Sequence, residues 1–203
     1  CNSGKVTISG TALIKKNVAR NGGAIDNSNG DLIITGGEIS ENEAQRVETS
    51  TNVFDGGCGG AIYSHGNSTK DSTIKMTGGI IKNNKSSKYG GGIGNSDYST
   101  ITFGGTAKVK DNTTKIGDAS EFTDNVSIRN KGGRNFISND TTTPLTNGAE
   151  IGVNMESVSG AFANVTSDVS AYFKIDGSDT NPVYEGGQLV IKTARVNSET
   201  SLK

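Results

Sequence analysis

The stretch STIKMTGGIIKNN, residues 72–84, decides how this chain folds. Ile74 and Met76 alternate with polar neighbours, a Gly-Gly pair follows at 78–79, then Ile81, and Asn84 stands three positions later. The same order of chemistry recurs in KVTISGTALIKKN (5–17), DLIITGGEISEN (31–42) and ITFGGTAKVKDN (101–112). Aligned, the segments give columns of one residue type. Val6, Leu32, Ile74 and Ile101 form the first, and Ile8, Ile34, Met76 and Phe103 the second. Ile14, Ile39, Ile81 and Val109 form the third, and Asn17, Asn42, Asn84 and Asn112 the fourth. A second Gly-rich corner follows three of the segments, GGAI at 22–25, GGAI at 59–62 and GGGI at 90–93, and sets Ile25, Ile62 and Ile93 in a fifth column.

Gly10 to Gly36 spans 26 positions, as does Gly78 to Gly104; residues 45–57 lengthen the interval between them. A fixed period of this size is the mark of a repeat architecture. Period-two alternation turns one face of each short strand inward. Stacking the units about 4.8 Å apart would pair each strand with its equivalent above and below and lay like residues on like. Glycine supplies the backbone freedom of the corners. The Asn column is expected to tolerate left-handed backbone and to hydrogen-bond between successive units. The expected fold is all-β, a right-handed single-stranded parallel β-helix. An antiparallel sandwich offers no reason for one residue type to recur in register.

The rest of the composition agrees. The 203 residues include 29 Gly, 2 Pro and no Trp, with 31% hydrophobic and 5% aromatic residues. So few large side chains cannot build a broad core, but they can fill a narrow shaft. The net charge is -1, without a basic stripe, so no nucleic-acid partner is expected. No apolar run approaches a membrane span and no signal peptide is present, so this segment is not expected to insert into a membrane.

The paired corners, Ile14–Asn17 with Gly22–Ile25, Ile39–Asn42 with Gly59–Ile62 and Ile81–Asn84 with Gly90–Ile93, resemble the repeats of chlamydial polymorphic outer-membrane proteins. They are also similar to adhesin-like repeat proteins of gut bacteria. The resemblance covers residues 5–112, and Ile or Val stands where the chlamydial motif has Phe. It implies a right-handed β-helix and an adhesin-like role outside the cell or on a bacterial surface, with host glycan or surface protein as partner.

Residues 1–155 are expected to form the coils. After Asn112 the pattern loosens, and two or three longer strands are expected within 170–196, joined by turns at Asp176–Gly177 and Glu185–Gly187. Residues 156–196 read as an irregular C-terminal β cap, and 197–203 as a linker or tail. CNSG at 1–4 aligns with the DNSNG of 26–30, so Cys1 reads as a cut within a longer chain whose first strands present an open edge.

Candidate chemistry is sparse. His65 is the lone histidine and reads first as a solvated loop residue. Arg129-Asn130-Lys131 matches one element of β-helix pectin hydrolases, but no two aspartates are adjacent, and glycoside cleavage needs two carboxylates facing one bond. Asp26, Asp31 and Asp55 do not stack as a calcium-dependent lyase would require, since Asp26 aligns with Tyr63 and then Gly94. Gly91–Ser96 approaches a calcium-binding nonapeptide but has Ser96 where the ligating Asp belongs. Cys58 reads as a corner thiol without a His partner. No cofactor, metal or catalytic residue is expected.

The insertion QRVETSTNVFDGG at 45–57 is the leading suspect for function, because loops lengthened on one corner of a repeat array commonly form its binding face. Val53 and Phe54 either tuck against the neighbouring unit or form a contact. Phe54, Asp55, Tyr63, His65, Tyr89 and Tyr98 are the candidate ligand contacts. The expected function is a non-catalytic adhesin-like or structural segment; a β-helix polysaccharide lyase or glycoside hydrolase is the rival, and a purely mechanical stalk a third reading.

Overall fold

The computed structural model describes residues 1–50, 53–129, 137–155 and 159–192. The chain is all-β, apart from one short 3-10 turn at Ser170–Tyr172. Its described strands form a 16-stranded, mostly parallel sheet, a five-stranded sheet and a two-stranded ribbon. The tail 197–203 lies outside the described residues.

The apolar columns are in register. Val6 pairs with Leu32, Leu32 with Ile74 and Ile74 with Ile101, all in parallel strands. Ile8, Ile34, Met76 and Phe103 do the same, as do Ile14, Ile39, Ile81 and Val109. The fifth file is longer than the repeat pattern shows: Ile25, Ile62, Ile93, Val126 and Val153. The third runs on through Ile151 to Phe173. Leu32, Ile39, Ile81, Ile93 and Ile101 are buried in one continuous core, and each such side chain contributes roughly 1.5–3 kcal/mol. Where the repeat frays, larger rings fill the core: Phe173 meets Phe103 at 6.4 Å and Phe162 at 5.8 Å, both edge-on.

Two local expectations change. The Gly pairs 36–37 and 78–79 do not break the chain into two strands, because Asp31–Ser40 and Ser72–Lys82 run through them with an irregularity in register. Left-handed backbone falls not on the ladder asparagines but on the residue before each: Lys16, Glu41, Asn83 and Asp111, with φ between 54° and 59°. That kink turns the next side chain inward, where the asparagine amide serves the interior.

The amides form a ladder. Nδ2 of Asn17 donates to Oδ1 of Asn42 at 2.9 Å, Asn42 to Asn84 at 2.9 Å and Asn84 to Asn112 at 2.9 Å. Each Oδ1 also accepts the backbone N–H of the preceding asparagine, at 2.9–3.1 Å. Each interior Nδ2 reaches carbonyls as well, Ile39 and Lys82 in the case of Asn84. Asn42, Asn84 and Asn112 are buried, so this complete satisfaction is what makes a polar file tolerable beside the core. Asn112 then donates to Asn125, and Asn125 to Asp176, two members that the repeat spacing does not reveal.

The insertion forms an antiparallel hairpin, Arg46–Ser50 with Val53–Gly56. The stack is back in register immediately after it, with Cys58 bridging Tyr89 and Ile62 pairing Ile93. Parallel pairing persists as far as Phe173–Ile175; Gln188–Ile191 then lies antiparallel to Gly160–Asn164, and Val183–Glu185 lies antiparallel to Gln188–Ile191 on its other side.

Candidate functional site

Ile62–His65 alternates buried Ile62 and Ser64 with half-buried Tyr63 and His65, so the two rings leave the sheet on its outer face. They stack with centroids 4.8 Å apart and planes 29° from parallel. The neighbouring strand sets Asp26 opposite Tyr63, and Asp26 Oδ1 lies 3.1 Å from His65 Nε2. On the other side the row position is Gly94. A Cβ there would lie 2.9 Å from the Gly59 nitrogen and 3.3 Å from Tyr89 Cε2, so the missing side chain is the space that the Tyr89 ring needs. Tyr89 meets Tyr63 edge-on at 6.3 Å, and the Arg129 guanidinium lies 4.6 Å over the Tyr89 ring.

Asp26, His65, Tyr63, Tyr89 and Arg129 thus form one line across several stacked strands. Three of the six surface candidates, Tyr63, His65 and Tyr89, lie in it. Asp26 enters through the strand register, and Arg129 comes from beyond the repeats, where no periodic signal could place it. Asn130 and Lys131, the remainder of the hydrolase-like triplet, lie outside the described residues.

The other candidates lie elsewhere. Asp55, at the hairpin, is ion-paired with Arg20 and accepts the Gly56 N–H at 2.7 Å. Phe54 has its backbone on the hairpin's second strand, and its side chain, like that of Val53, lies outside the described residues. Tyr98 occupies a turn with φ of 54°, where its carbonyl accepts the Ser72 N–H at 2.8 Å.

Burial disfavours the charged forms of groups in and beneath the row. Burial pushes the Cys58 thiol up from its ordinary value and does the same to the Tyr89 phenol beside it. A thiol in that state is a poor nucleophile at neutral pH. Asp124 is buried and raised by burial, although Thr114 Oγ1 and the Gly90 N–H, both at 2.7 Å, favour its ionised form. Asp31 accepts a hydrogen bond from Thr73 at 2.8 Å. Among the described residues, no cluster of three or more His, Cys, Asp or Glu is arranged to hold a metal ion.

Two concavities flank this face. A trough of about 650 Å³ runs between the hairpin root and residues 117–121, lined by Glu43, Arg46, Lys85, Thr113 and Lys115. Its wall residue Glu121 accepts a hydrogen bond from Thr113 at 2.5 Å, which, with Lys85, lowers its carboxyl below the ordinary range. A second groove, of about 360 Å³, opens beside Tyr89 and Arg129 and is lined by Ile116, Phe122 and Met155. The arrangement offers flat rings, an imidazole–carboxylate pair and cations on a rigid surface. No helix among the described residues is long and apolar enough to cross a membrane. No protein-family model matches the chain, and neither a curated protein nor a solved structure does.

Proposed function

We propose that the chain is a right-handed, single-stranded parallel β-helix with an irregular C-terminal β cap, and a non-catalytic, adhesin-like segment of a secreted or cell-surface bacterial protein. It takes glycan or protein on an extended outer face. The row Asp26–His65–Tyr63–Tyr89–Arg129 carries this reading. Register-locked strands hold these side chains at fixed spacing, so binding requires little reordering of the protein. Aromatic rings with polar edges suit sugars and protein side chains alike.

The state of the titratable groups supports a binding role over a chemical one. Cys58 and Tyr89 are held protonated, and Asp124 and Asp176 spend their oxygens on backbone and amide N–H groups of the stack. The test is a panel of immobilised glycans and host surface proteins, run beside assays for sugar ends released from pectin-like polymers. Saturable binding weakened by Tyr63→Ala, with no release, is expected. Release of unsaturated or reducing ends would overturn the reading, and so would the absence of binding to every member of the panel.

A further inference from the structure

The strands of the first repeat form a sheet edge. Among the described residues, Lys5–Ile8 and Leu13–Lys15 pair only with Asp31–Ser40, and Val18–Ala19 only with Glu43–Ala44. Their outer backbone N–H and C=O groups have no strand beside them. The core is uncovered at the same place. Val6 is 37% exposed where Leu32, the next member of its file, is 0%. Ile14 and Ile25 are half-buried where Ile39 and Ile62 are buried. On the outer face, exposed Leu13 and Val18 stand beside Glu38 and Glu43, so apolar surface extends past the core onto the flank of this one repeat.

The amide ladder gives this edge a polarity. Oδ1 of Asn42, of Asn84 and of Asn112 each accepts both the backbone N–H and the Nδ2–H of the asparagine before it. Asn17 Nδ2 donates to Asn42 and, at 3.1 Å, to the Lys15 carbonyl, but Asn17 Oδ1 accepts no hydrogen bond among the described residues. A neighbouring corner is closed by the chain itself. Asn2 Oδ1 accepts the Gly4 N–H at 3.0 Å, and the Asn2 backbone bonds to Asp26 and Ser28. The edge beside Asn17 thus combines an amide oxygen with two open acceptor positions, bare strand backbone and the uncovered end of the apolar files.

We propose that this edge is a strand-addition site for a repeat unit of the same pattern carried by another chain, whose asparagine donates both its N–H groups to Asn17 Oδ1. The proposal goes beyond the outer-face binding reading and does not rest on it. Residues 31–44 show what fits, because they cover the same strands from the opposite side: Leu32 lies on Val6, Ile34 on Ile8, Ile39 on Ile14 and Asn42 on Asn17. A unit laid parallel on the open side repeats these contacts. Backbone hydrogen bonds supply affinity in such strand addition, and the alternate side chains supply specificity. A second copy of this chain does not match the site. Two copies meeting edge to edge set one Asn17 acceptor against the other. The far end of the ladder is Asp176, whose carboxyl already accepts both N–H groups of Asn125, so it has no donor pair to present.

The test uses the whole chain and fluorescence anisotropy of three dye-labelled peptides: residues 31–44, the same peptide with Asn42→Asp, and a scrambled form. Asn17→Ala removes the acceptor, and Val183→Ala, on the final edge strand, controls for pairing at another edge. Circular dichroism and thermal melting establish that each variant retains its fold. The 31–44 peptide is expected to bind the parent chain saturably and to weaken on the order of tenfold when it carries Asn42→Asp or when the chain carries Asn17→Ala, with little change in Val183→Ala. Equal binding of the Asn42→Asp or scrambled peptide would overturn recognition through the ladder. Equal binding by the Asn17→Ala chain, or a loss confined to Val183→Ala, would overturn the site. Absence of binding by the 31–44 peptide would overturn the proposal altogether. A dimer of the parent chain in sedimentation velocity that Asn17→Ala abolishes would make a second copy the occupant and overturn the one named here. The glycan and protein panel reads the outer face, so its result and this one fail independently.

Discussion

Asp176 accepts two hydrogen bonds from Asn125, the backbone N–H at 2.6 Å and the side-chain Nδ2–H at 2.7 Å, and so ends the amide ladder that begins at Asn17. Every amide in the file aims its N–H toward the C-terminal side, so the positive end of the aligned dipoles meets a carboxyl. The last member has only to accept, and an aspartate does that with both oxygens. Burial nevertheless pushes its carboxyl from 3.8 up to about 6, against the pull of the Asn125 donors.

This shift sets a pH dependence. The folded chain binds the Asp176 proton more tightly than the unfolded chain, so the stabilisation is full below the unfolded value near 3.8 and is lost as pH rises to about 6. Buried Asp124 is raised in the same direction and adds to the slope. Glu38, Glu121 and Glu150, whose carboxyls are held below the ordinary range, act in the opposite sense, so the Asp176 share is read as a difference. The stability of the parent chain relative to Asp176→Asn in urea is expected to fall between pH 4 and pH 6 by roughly 1–3 kcal/mol, and a relative profile that rises over this interval would contradict the assignment.

The middle of the ladder should be intolerant of change. Asn84 Oδ1 accepts two N–H groups of Asn42, and its Nδ2 donates to Ile39, Lys82 and Asn112. Asn84→Ala strands these partners in a buried setting, at a cost of about 3 kcal/mol or more. Asn17→Ala, at the exposed end, should cost about 1 kcal/mol or less. Chemical denaturation of the two variants measures the contrast.

A similar contrast holds for the apolar files. Ile81 is fully buried and Leu13 is 54% exposed. Ile81→Ala should lose about 3–4 kcal/mol, and Leu13→Ala less than about 1 kcal/mol. Equal losses would mean that the buried apolar files are not the principal source of stability.

Glycines divide by what surrounds them. A Cβ on Gly60 would lie 2.1 Å from the Gly91 carbonyl oxygen and 2.5 Å from that of Lys85, both backbone atoms of the next repeat. On Gly117 it would meet nothing within 4 Å, and only the φ of 55° opposes it. Gly60→Ala should prevent the native spectrum from forming, whereas Gly117→Ala should cost about 1 kcal/mol by thermal melting.

The two thiols should differ in reactivity. Cys1 is exposed and Cys58 buried with its thiol raised by burial. A thiol reagent at pH 7.5 is expected to modify Cys1 rapidly and Cys58 only after denaturation. Comparable native rates would show that the Tyr89 corner opens.

The amino-acid pattern made the files of Leu32, Ile39 and Asn84 legible because like residues recur at a fixed spacing and the repeat forces them together. It could not reach Asn125 or Asp176, which join the ladder from segments of different length. The aromatic row was legible in part for the same reason. Tyr63 and His65 follow the alternation of their strand, and the alignment of Asp26 with Tyr63 is the one observed. Tyr89 reaches the row because Gly94 is empty, a three-dimensional complement that spacing alone does not express. Arg129 and Phe122 belong to irregular segments, where side-chain position depends on pairing that has no periodic trace.

The hairpin Arg46–Gly56 leaves and rejoins the stack without disturbing it: Ala44 pairs Ser86 before it, and Cys58 bridges Tyr89 after it. Residues 45–57 occupy a place that 87–88 fill in the next repeat. The register on either side thus does not depend on the length of the excursion between them, although its root is tied to the stack through Arg46, Asp55 and Gly57, so a foreign peptide grafted at the tip, with that root kept, is expected to leave the scaffold beneath the same.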